Sequence, residues 1–399
     1  HEIGHQMGGN HTWSFGNEGT GVNYEPGSGT TIMGYAGITG SNDVQDHSDP
    51  YFHYGTINQI LNNLDTRTCW TSTTISSNPP QANAGNDYTI PQGTAFKLTG
   101  TASDSNQEDV LTYTWEQIDS GTTTSSSFGP TKTSGGLWRS RPPSTNPVRY
   151  MPIKSRVLLG ELTETNPTET VDNTSWETVS TISRTLNFAL TVRDRSETNG
   201  IGQFPQTDFD VMTVTVDGSA GPFAVTSQTT NEMWNVGENQ TVSWDVAGTS
   251  TGSVNTPTVN IYLSTDGGLS FPFLLASNVD NDGSHTFSVP QADGDSSELR
   301  VMVEGNNNIF YAINTTNFSL QASEFSISVA EPSVEVCSPN DVTYDFIYNT
   351  YSGFTGTTTF SVNGLPSGVN SSFSTDTASI DGTSVSLTLS NIGSLNENT

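Results

Sequence analysis

The sequence predicts a mainly β, multidomain protein. Its 399 residues exceed the usual size of a single domain. From residue 86 onward, short alternating apolar runs such as LTYTWEQI and RTLNFALTVRD recur between turn residues, roughly every 8 to 12 positions, which is typical of β-sandwiches. Residues 1–70 differ, because they hold five of the six histidines and the clearest helical periodicity. We therefore expect an α+β unit ahead of the sandwiches.

Changes in composition divide the chain into five predicted parts. Residues 1–70 end where a stretch rich in Ser, Thr and Pro begins, which is typical of a linker. Turn-rich stretches near 217–223 and 319–327 separate three sandwich modules, and residues 120–180 of the first module look like an insertion or long loops. The predicted boundaries are 1–70, a linker at 71–85, and sandwiches at 86–218, 219–322 and 323–399, the last of them truncated.

The charge balance disfavours binding to nucleic acid and to anionic membrane surfaces. Asp and Glu number 41 against 12 Lys and Arg, a net charge of −29, and such a surface repels phosphate groups. It suits a secreted protein, or one that binds cations such as calcium. No apolar run of about 18 residues occurs, so no membrane span is predicted. Cys69 and Cys337 are far apart in sequence, and we do not expect them to pair.

The stretch DPYFHYGTINQILNNLD predicts an amphipathic helix, because its apolar residues recur at helical spacing. Asp49 is the expected N-cap and Pro50 the first helical residue. We expect His53, inside this stretch, to pack or to cap the helix, and His47 to be a solvated loop residue.

The opening stretch HEIGHQMGGNH has the spacing of a metal site. His1 and His5 are four residues apart, so on a helix both imidazoles face one ion. Gly8 and Gly9 let the backbone leave the helix, after which His11 approaches the same ion. Three imidazoles leave a fourth position on Zn²⁺ open for water, as in catalytic sites. An ordinary helix with incidental histidines, and a closed structural zinc site, are the alternatives to this interpretation.

Glu2 is the candidate general base beside this site. Its carboxylate can accept the proton of a zinc-activated water, whose pKa falls toward about 7, and later deliver that proton to the departing amine. The chemistry expected of these four residues is therefore hydrolysis of peptide bonds in protein or peptide substrates.

The quoted stretch, together with TIMGYAG and YFHYGTINQI, resembles the metzincin zinc endopeptidases, and among them the bacterial reprolysin-like branch. The resemblance implies that His1, His5 and His11 are the zinc ligands, that Glu2 is the general base, and that Met33 is the Met-turn residue. It covers about 70 residues, the C-terminal part of such a catalytic domain. We therefore expect an internal piece of a longer secreted protein, and a 399-residue fragment with little or no activity of its own.

Two further positions bear on that resemblance. Thr12 stands where snake-venom-type reprolysins usually carry Asp, which weakens assignment to the classical branch. Tyr35 occupies a position where some metzincins place a tyrosine close to zinc. It is expected either to stabilise an oxyanion or to pack the loop.

The first sandwich, on the stretch TASDSNQEDVLTYTWEQ, resembles a PKD or related Ig-like module of bacterial exoenzymes. The alternation in LTYTWEQ points its bulky side chains to one face, toward the sandwich core. Asp104, Glu108 and Asp109 can hold Ca²⁺, and an exposed acidic turn is the open alternative. In the second module, Trp244 is a predicted core residue.

The sandwich modules leave two functions open. In the first, they are spacers of a secreted endopeptidase, or they attach it to an extracellular polymer or a cell surface. In the second, the protein is a cell-surface adhesin or a glycan-binding array of Ig-like modules, and residues 1–70 are an inactive protease remnant. Bound metal discriminates between the two.

Overall fold

The structure is a computed structural model of the chain. It describes residues 1–69, 77–106, 109–194, 205–292, 296–329, 341–351 and 354–394, together with residues 71, 74 and 333. Cys69 is an exposed free cysteine. Cys337 and Glu108 lie outside the described residues.

Strands far outnumber helices, which confirms the predicted mainly β fold class. The helices are α1 Glu2–Gln6, α2 Tyr54–Asp65 and α3 Lys154–Leu159. The strands are β1 Gln81–Asn83, β2 Tyr88–Pro91, β3 Ala95–Thr99, β4 Thr101–Ser103, β5 Leu111–Gln117, β6 Val148–Met151, β7 Arg184–Asp194, β8 Thr207–Asp217, β9 Ala224–Val225, β10 Met233–Asn235, β11 Asn239–Asp245, β12 Thr258–Ser264, β13 Phe273–Asp280, β14 Ser284–Ser288, β15 Ser296–Gly305, β16 Phe310–Ile313, β17 Phe318–Gln321, β18 Phe325–Val329, β19 Val342–Thr350, β20 Thr358–Thr359, β21 Asn370–Phe373, β22 Thr377–Ala378 and β23 Thr383–Ser390.

The described chain forms two compact units. The N-terminal unit comprises residues 1–230, 241–285 and 300–317, and the C-terminal unit comprises 231–240, 286–299 and 318–399. The finer boundaries drawn from the sequence stay a prediction.

Two sheets and the side chains between them form the core of the first sandwich, within the N-terminal unit. One sheet has the order β2-β8-β7-β5, and in the other β3 pairs with β6 and with β16. Phe96 of β3 and Phe188 of β7 both pack on the buried ring of Trp138, with centroids 5.5 and 5.7 Å away. Aromatic contacts therefore join the two sheets.

The loop-rich segment 118–181 of the first sandwich packs against residues 1–65. Trp176 is fully buried with Phe128 and Val44, and its indole N–H donates to the carbonyl of Asp43 at 3.2 Å. The backbone N–H of Gly27 donates to the carbonyl of Thr123 at 2.9 Å. The predicted insertion is therefore a structural part of the N-terminal region rather than a set of free loops.

Helix α2 begins later than predicted. Its N-cap is His53, whose Nδ1 accepts a hydrogen bond from Gly55 N at 3.0 Å, so the predictions of Asp49 as N-cap and Pro50 as first helical residue are wrong. The backbone N–H of Asp49 donates to Thr30 O, and Tyr51 O accepts from Ile32 N. These bonds hold the segment before the helix against the loop around Ile32 and keep it extended.

Strand β5 is buried on both faces over its second half, where the sequence predicted one buried face. Trp115 points into the sandwich, while Glu116 on the opposite face is fully buried as well. The carboxylate of Glu116 accepts the backbone N–H of Tyr54 at 2.7 Å, and the Arg193 guanidinium donates to Phe52 O at 2.9 Å. The second face is covered because the start of α2 lies against it.

The remaining strands of the N-terminal unit continue the β architecture. β12 pairs antiparallel with β13 and with residues 300–305 of β15. Trp244 is buried, as predicted, and its indole N–H donates to Asn281 Oδ1 at 2.8 Å.

The C-terminal unit contains its own strand pairs and core. β10 pairs parallel with β17, where buried Trp234 packs on Phe318 at 4.5 Å between ring centroids. A four-stranded antiparallel sheet follows in the order β18-β19-β23-β21. Its core centres on buried Tyr348, Phe346 and Val385.

Candidate metal centre

Short helix α1 and the turn after it position the histidines. His1 is the N-cap of α1 and His5 lies in its last turn. Gly8 has φ +101°, a left-handed conformation that favours glycine, so the chain turns sharply there. Helix α2 holds this turn, because the side-chain amide of Asn63 donates to Met7 O at 2.7 Å. A second bond joins Asn10 N to Gln59 Oε1 at 2.8 Å.

The structure brings the three predicted ligands together. His11 Nε2 lies 3.1 Å from His5 Nε2 and 3.2 Å from His1 Nε2. Three nitrogens bound at about 2.0–2.1 Å to a tetrahedral ion lie about 3.3 Å from one another. The spacing of the three imidazoles therefore fits Zn²⁺.

Each imidazole has a hydrogen bond at Nδ1, and these bonds decide which ring nitrogen is free to bind metal. His1 Nδ1 is 2.7 Å from Ile32 O, and His5 Nδ1 is 2.9 Å from Gly9 O. His11 Nδ1 is 2.8 Å from a carboxylate oxygen of Glu18. Carbonyls and carboxylates accept, so each Nδ1 donates, and in the neutral imidazoles three Nε2 lone pairs converge on one point. A cation satisfies such a set of acceptors.

Met33 lies directly behind the metal-binding helix. Its side chain is fully buried, and a Cβ added at Gly4 would lie 2.5 Å from Met33 Sδ. Because Gly4 stands between the two helical histidines, its lack of a side chain lets the thioether approach the helix. The carbonyl of Met33 accepts from Thr12 N at 3.2 Å. The loop that was expected to form the Met-turn therefore packs against α1 and against the residue that follows His11.

Tyr35 faces the histidines as well. Its hydroxyl is 2.9 Å from His11 Nε2, and its ring stacks on His1 with centroids 5.5 Å apart. Burial, together with the charges of Glu18 and Glu2, raises the pKa of the Tyr35 hydroxyl, so it keeps its proton at neutral pH. A protonated hydroxyl at this position can donate a hydrogen bond.

Glu2 is exposed and lines an open cavity of about 800 Å³ beside the histidines. His1, Tyr35, Ile38 and Pro50 line the same cavity. The carboxylate expected to act as base thus opens onto a space that a peptide can enter.

Two carboxylates near the site were missed in the sequence. Glu18 pairs with His11, and Glu25 is a buried acceptor for the threonines that flank the ligand segments. Neither lies within the H-E-x-x-H-x-x-G-x-x-H pattern, so no spacing signal marked them. The other two histidines of this region are not ligands: His53 caps α2, and His47 is exposed in a loop, both as expected.

A second cluster of acidic groups lies on the first sandwich. Carboxylate oxygens of Asp104, Asp109 and Asp194 lie within 4.8 Å of one another. Asp194, at the end of β7, is buried and was not predicted. One oxygen of Asp104 is buried and has no hydrogen-bond partner among the described residues.

Comparisons with known proteins agree with the N-terminal motif. Residues 1–64 match the model of the reprolysin-like metallopeptidase family M12B. No curated protein matches the chain. Among the described residues, no helix is both long enough and apolar enough to cross a membrane.

Solved structures similar to the chain include Ig repeats, cadherin EC domains and titin domains. Tandem Ig repeats of Dlar are 12% identical over 61% of this chain and 98% of theirs, with a TM-score of 0.26. Drosophila N-cadherin EC1-4 is 11% identical over 81% and 69%, with a TM-score of 0.20. A three-Ig fragment of titin is 11% identical over 79% and 89%, with a TM-score of 0.18.

Proposed function

We propose that the chain carries the metal-binding part of a secreted zinc-dependent endopeptidase. The observation that supports this most strongly is the convergence of three Nε2 lone pairs at tetrahedral spacing, within a segment that matches a metallopeptidase family. His1, His5 and His11 would hold Zn²⁺. Bound there, zinc supplies Lewis acidity, which activates water and polarises a peptide carbonyl.

The residues around the ligands have separate roles in proton transfer, charge stabilisation and substrate binding. Glu2 accepts a proton at its carboxylate and returns it to the amine that leaves when the peptide bond breaks. Tyr35 donates a hydrogen bond to the oxygen of the scissile carbonyl as negative charge develops on it. The buried thioether of Met33 supports the helix from behind, and the open cavity beside Glu2 takes the peptide.

The sandwich modules are proposed to act outside the cell, as spacers or as attachment modules for an extracellular polymer or a cell surface. The net charge of −29 suits that location. We also propose that the carboxylates of Asp104, Asp109 and Asp194 bind Ca²⁺. A buried carboxylate oxygen of Asp104 has no hydrogen-bond partner among the described residues, so it is available to a cation.

The test compares zinc content and casein cleavage for the parent protein and two variants. Glu2→Gln keeps all three ligands, so we expect it to bind one zinc per chain and to lose cleavage by a factor of about 100 to 10,000. His5→Ala removes a ligand and is expected to lose both zinc and cleavage. A chelator should abolish cleavage by the parent, and added zinc should restore it.

Zinc binding by the 399-residue chain is a separate measurement, independent of cleavage. One zinc bound by the parent and none by His5→Ala supports the metal site. Cleavage by Glu2→Gln at the parent's rate contradicts the assignment of the base. A parent that binds no zinc favours the alternative, an adhesin or glycan-binding array that carries an inactive protease remnant.

A further inference from the structure

Glu25 is a buried carboxylate that the proposed reaction does not use. It is 1% exposed, and its oxygens accept five hydrogen bonds. Oε1 accepts from the backbone N–H of Thr30 at 2.9 Å and of Thr31 at 3.2 Å, and from the Thr30 hydroxyl at 3.4 Å. Oε2 accepts from the hydroxyls of Thr12, at 2.5 Å, and Thr31, at 2.6 Å. All five of these groups donate, as a carboxylate that only accepts requires.

The donors belong to the two segments that carry the metal site. Thr12 directly follows His11 in sequence. Thr31 directly precedes Ile32, whose carbonyl accepts from His1 Nδ1, and Met33 comes next beneath the helix. The Glu25 carboxylate therefore links Thr12, which follows His11, to Thr31, which precedes the residue whose carbonyl orients His1.

Gly29 and Thr30 enclose the Glu25 carboxylate further. Gly29 has φ +66°, and a Cβ there would lie 3.0 Å from Glu25 Oε2. The hydroxyl of Thr30 also donates to Ser140 O at 3.1 Å, in the loops of the first sandwich. The network around Glu25 thus extends from the metal ligands to the sandwich.

We propose that Glu25 is a positioning residue for the metal centre, which sets the distance between His11 and the His1–Ile32 pair by bridging Thr12 and Thr31. This inference rests on the proposed zinc site. Because Glu25 acts by spanning the distance between the two threonines, the length of its side chain matters more than its charge. Glutamine keeps the length, since its amide oxygen can replace Oε1 while both hydroxyls rotate to accept from its amide group. Aspartate keeps the charge but is one methylene shorter.

The experiment measures zinc affinity of the 399-residue chain by competition with a chromophoric chelator, and the visible spectrum of the Co²⁺-substituted chain. We expect Glu25→Asp to bind zinc about 10- to 100-fold more weakly than the parent and to alter the Co²⁺ spectrum. Glu25→Gln should lose less than about tenfold and keep the parent spectrum. Ser14→Ala is the matched control, because Ser14 donates to the backbone carbonyl of Glu25 and not to its carboxylate.

Every outcome bears on the inference. Zinc affinity of Glu25→Gln at or below that of Glu25→Asp overturns it, as does a parent-like Co²⁺ spectrum in both variants. If Glu25→Asp does not fold, Thr31→Val takes its place, since it removes one bridging hydroxyl and leaves Glu25 intact; parent-like zinc affinity and Co²⁺ spectrum there also overturn the inference. A parent chain that binds no zinc is a different result, which contradicts the proposed function itself.

Discussion

The two candidate metal clusters of the described residues differ in how their ligand atoms are held. In the histidine cluster, each Nδ1 is bonded to a carbonyl or a carboxylate, so each Nε2 is oriented before any metal binds. In the aspartate cluster, Asp104 and Asp194 each use one oxygen to accept a backbone N–H, from Asn106 and Gln206. The second carboxylate oxygen of Asp104 is buried and has no hydrogen-bond partner among the described residues.

This difference separates a preorganised site from a set of repelling charges. Neutral imidazoles with fixed tautomers converge at little electrostatic cost, and they favour a borderline ion such as Zn²⁺. Three carboxylates repel one another, and they suit a hard cation that neutralises them. Three predictions test this comparison, from the support of the first cluster to the charge of the second.

The largest effect is expected from Trp176→Ala. The indole of Trp176 fills the junction between the first sandwich and the loop at Val44, and removing a buried Trp costs about 3–5 kcal/mol of unfolding free energy. Trp176 has φ +63°, a strained conformation for alanine as well, so no relief of backbone strain offsets the lost packing. Chemical denaturation and hydrogen exchange of residues 25–46 measure the effect.

Trp176→Phe is the control for that substitution. It keeps an aromatic ring against Phe128 and loses the bond from the indole N–H to Asp43 O, which is worth about 1 kcal/mol. If the amide hydrogens of residues 25–46 exchange at the parent's rate in Trp176→Ala, the histidine cluster needs no support from the sandwich.

The second prediction concerns the carboxylate that orients His11. Glu18→Ala removes the acceptor of His11 Nδ1, so the imidazole loses its fixed tautomer and orientation. We expect zinc affinity to fall about 10- to 100-fold, or about 1.4–2.7 kcal/mol. Competition with a chelator measures it.

Glu18→Gln separates orientation from charge at the same position. The amide oxygen still accepts from His11 Nδ1, so the zinc affinity of Glu18→Gln should lie between those of the parent and Glu18→Ala. Equal zinc affinity in all three proteins would show that the backbone alone orients His11.

The grouping of the three histidines could be predicted from the sequence, because it begins with local geometry. A four-residue spacing on a helix and a glycine turn bring His1, His5 and His11 near one another within eleven residues. The alternating strands were equally local, and the mainly β fold class followed from them. The helix start was wrong at Asp49 and Pro50 because hydrogen bonds to a distant loop override a good local cap.

The supports of the site could not be predicted, because they join residues with no regular spacing. Trp176 donates to a carbonyl 133 positions away, and Glu116 accepts the N–H of Tyr54, 62 positions away. Glu25 looks like any acidic loop residue until its donors are known. Backbone carbonyls accept from any donor, so such contacts leave no residue pattern to read.

The smallest effect is expected from Asp194→Asn in the aspartate cluster. Burial, followed by the charges of Asp109 and Asp104, raises the pKa of the Asp194 carboxyl above its ordinary value of 3.8. The folded state then binds the Asp194 proton more tightly than the unfolded state does, so stability is lost as the pH rises through the raised pKa. Asp194→Asn cannot ionise and still accepts from Gln206 N, so it should escape this loss and be slightly more stable than the parent at neutral pH without calcium.

Thermal unfolding at several pH values, with and without about 1–10 mM Ca²⁺, measures this effect. Calcium should stabilise the parent at neutral pH and stabilise Asp194→Asn less, because the variant has lost one charged ligand. Asp87→Asn is the matched control: Asp87 is exposed, accepts one backbone N–H from Thr213 and lies outside the cluster. If Asp194→Asn and Asp87→Asn respond alike to pH and to calcium, the aspartate cluster is an acidic surface without a cation, and preorganisation of the histidines alone distinguishes a metal site in this chain.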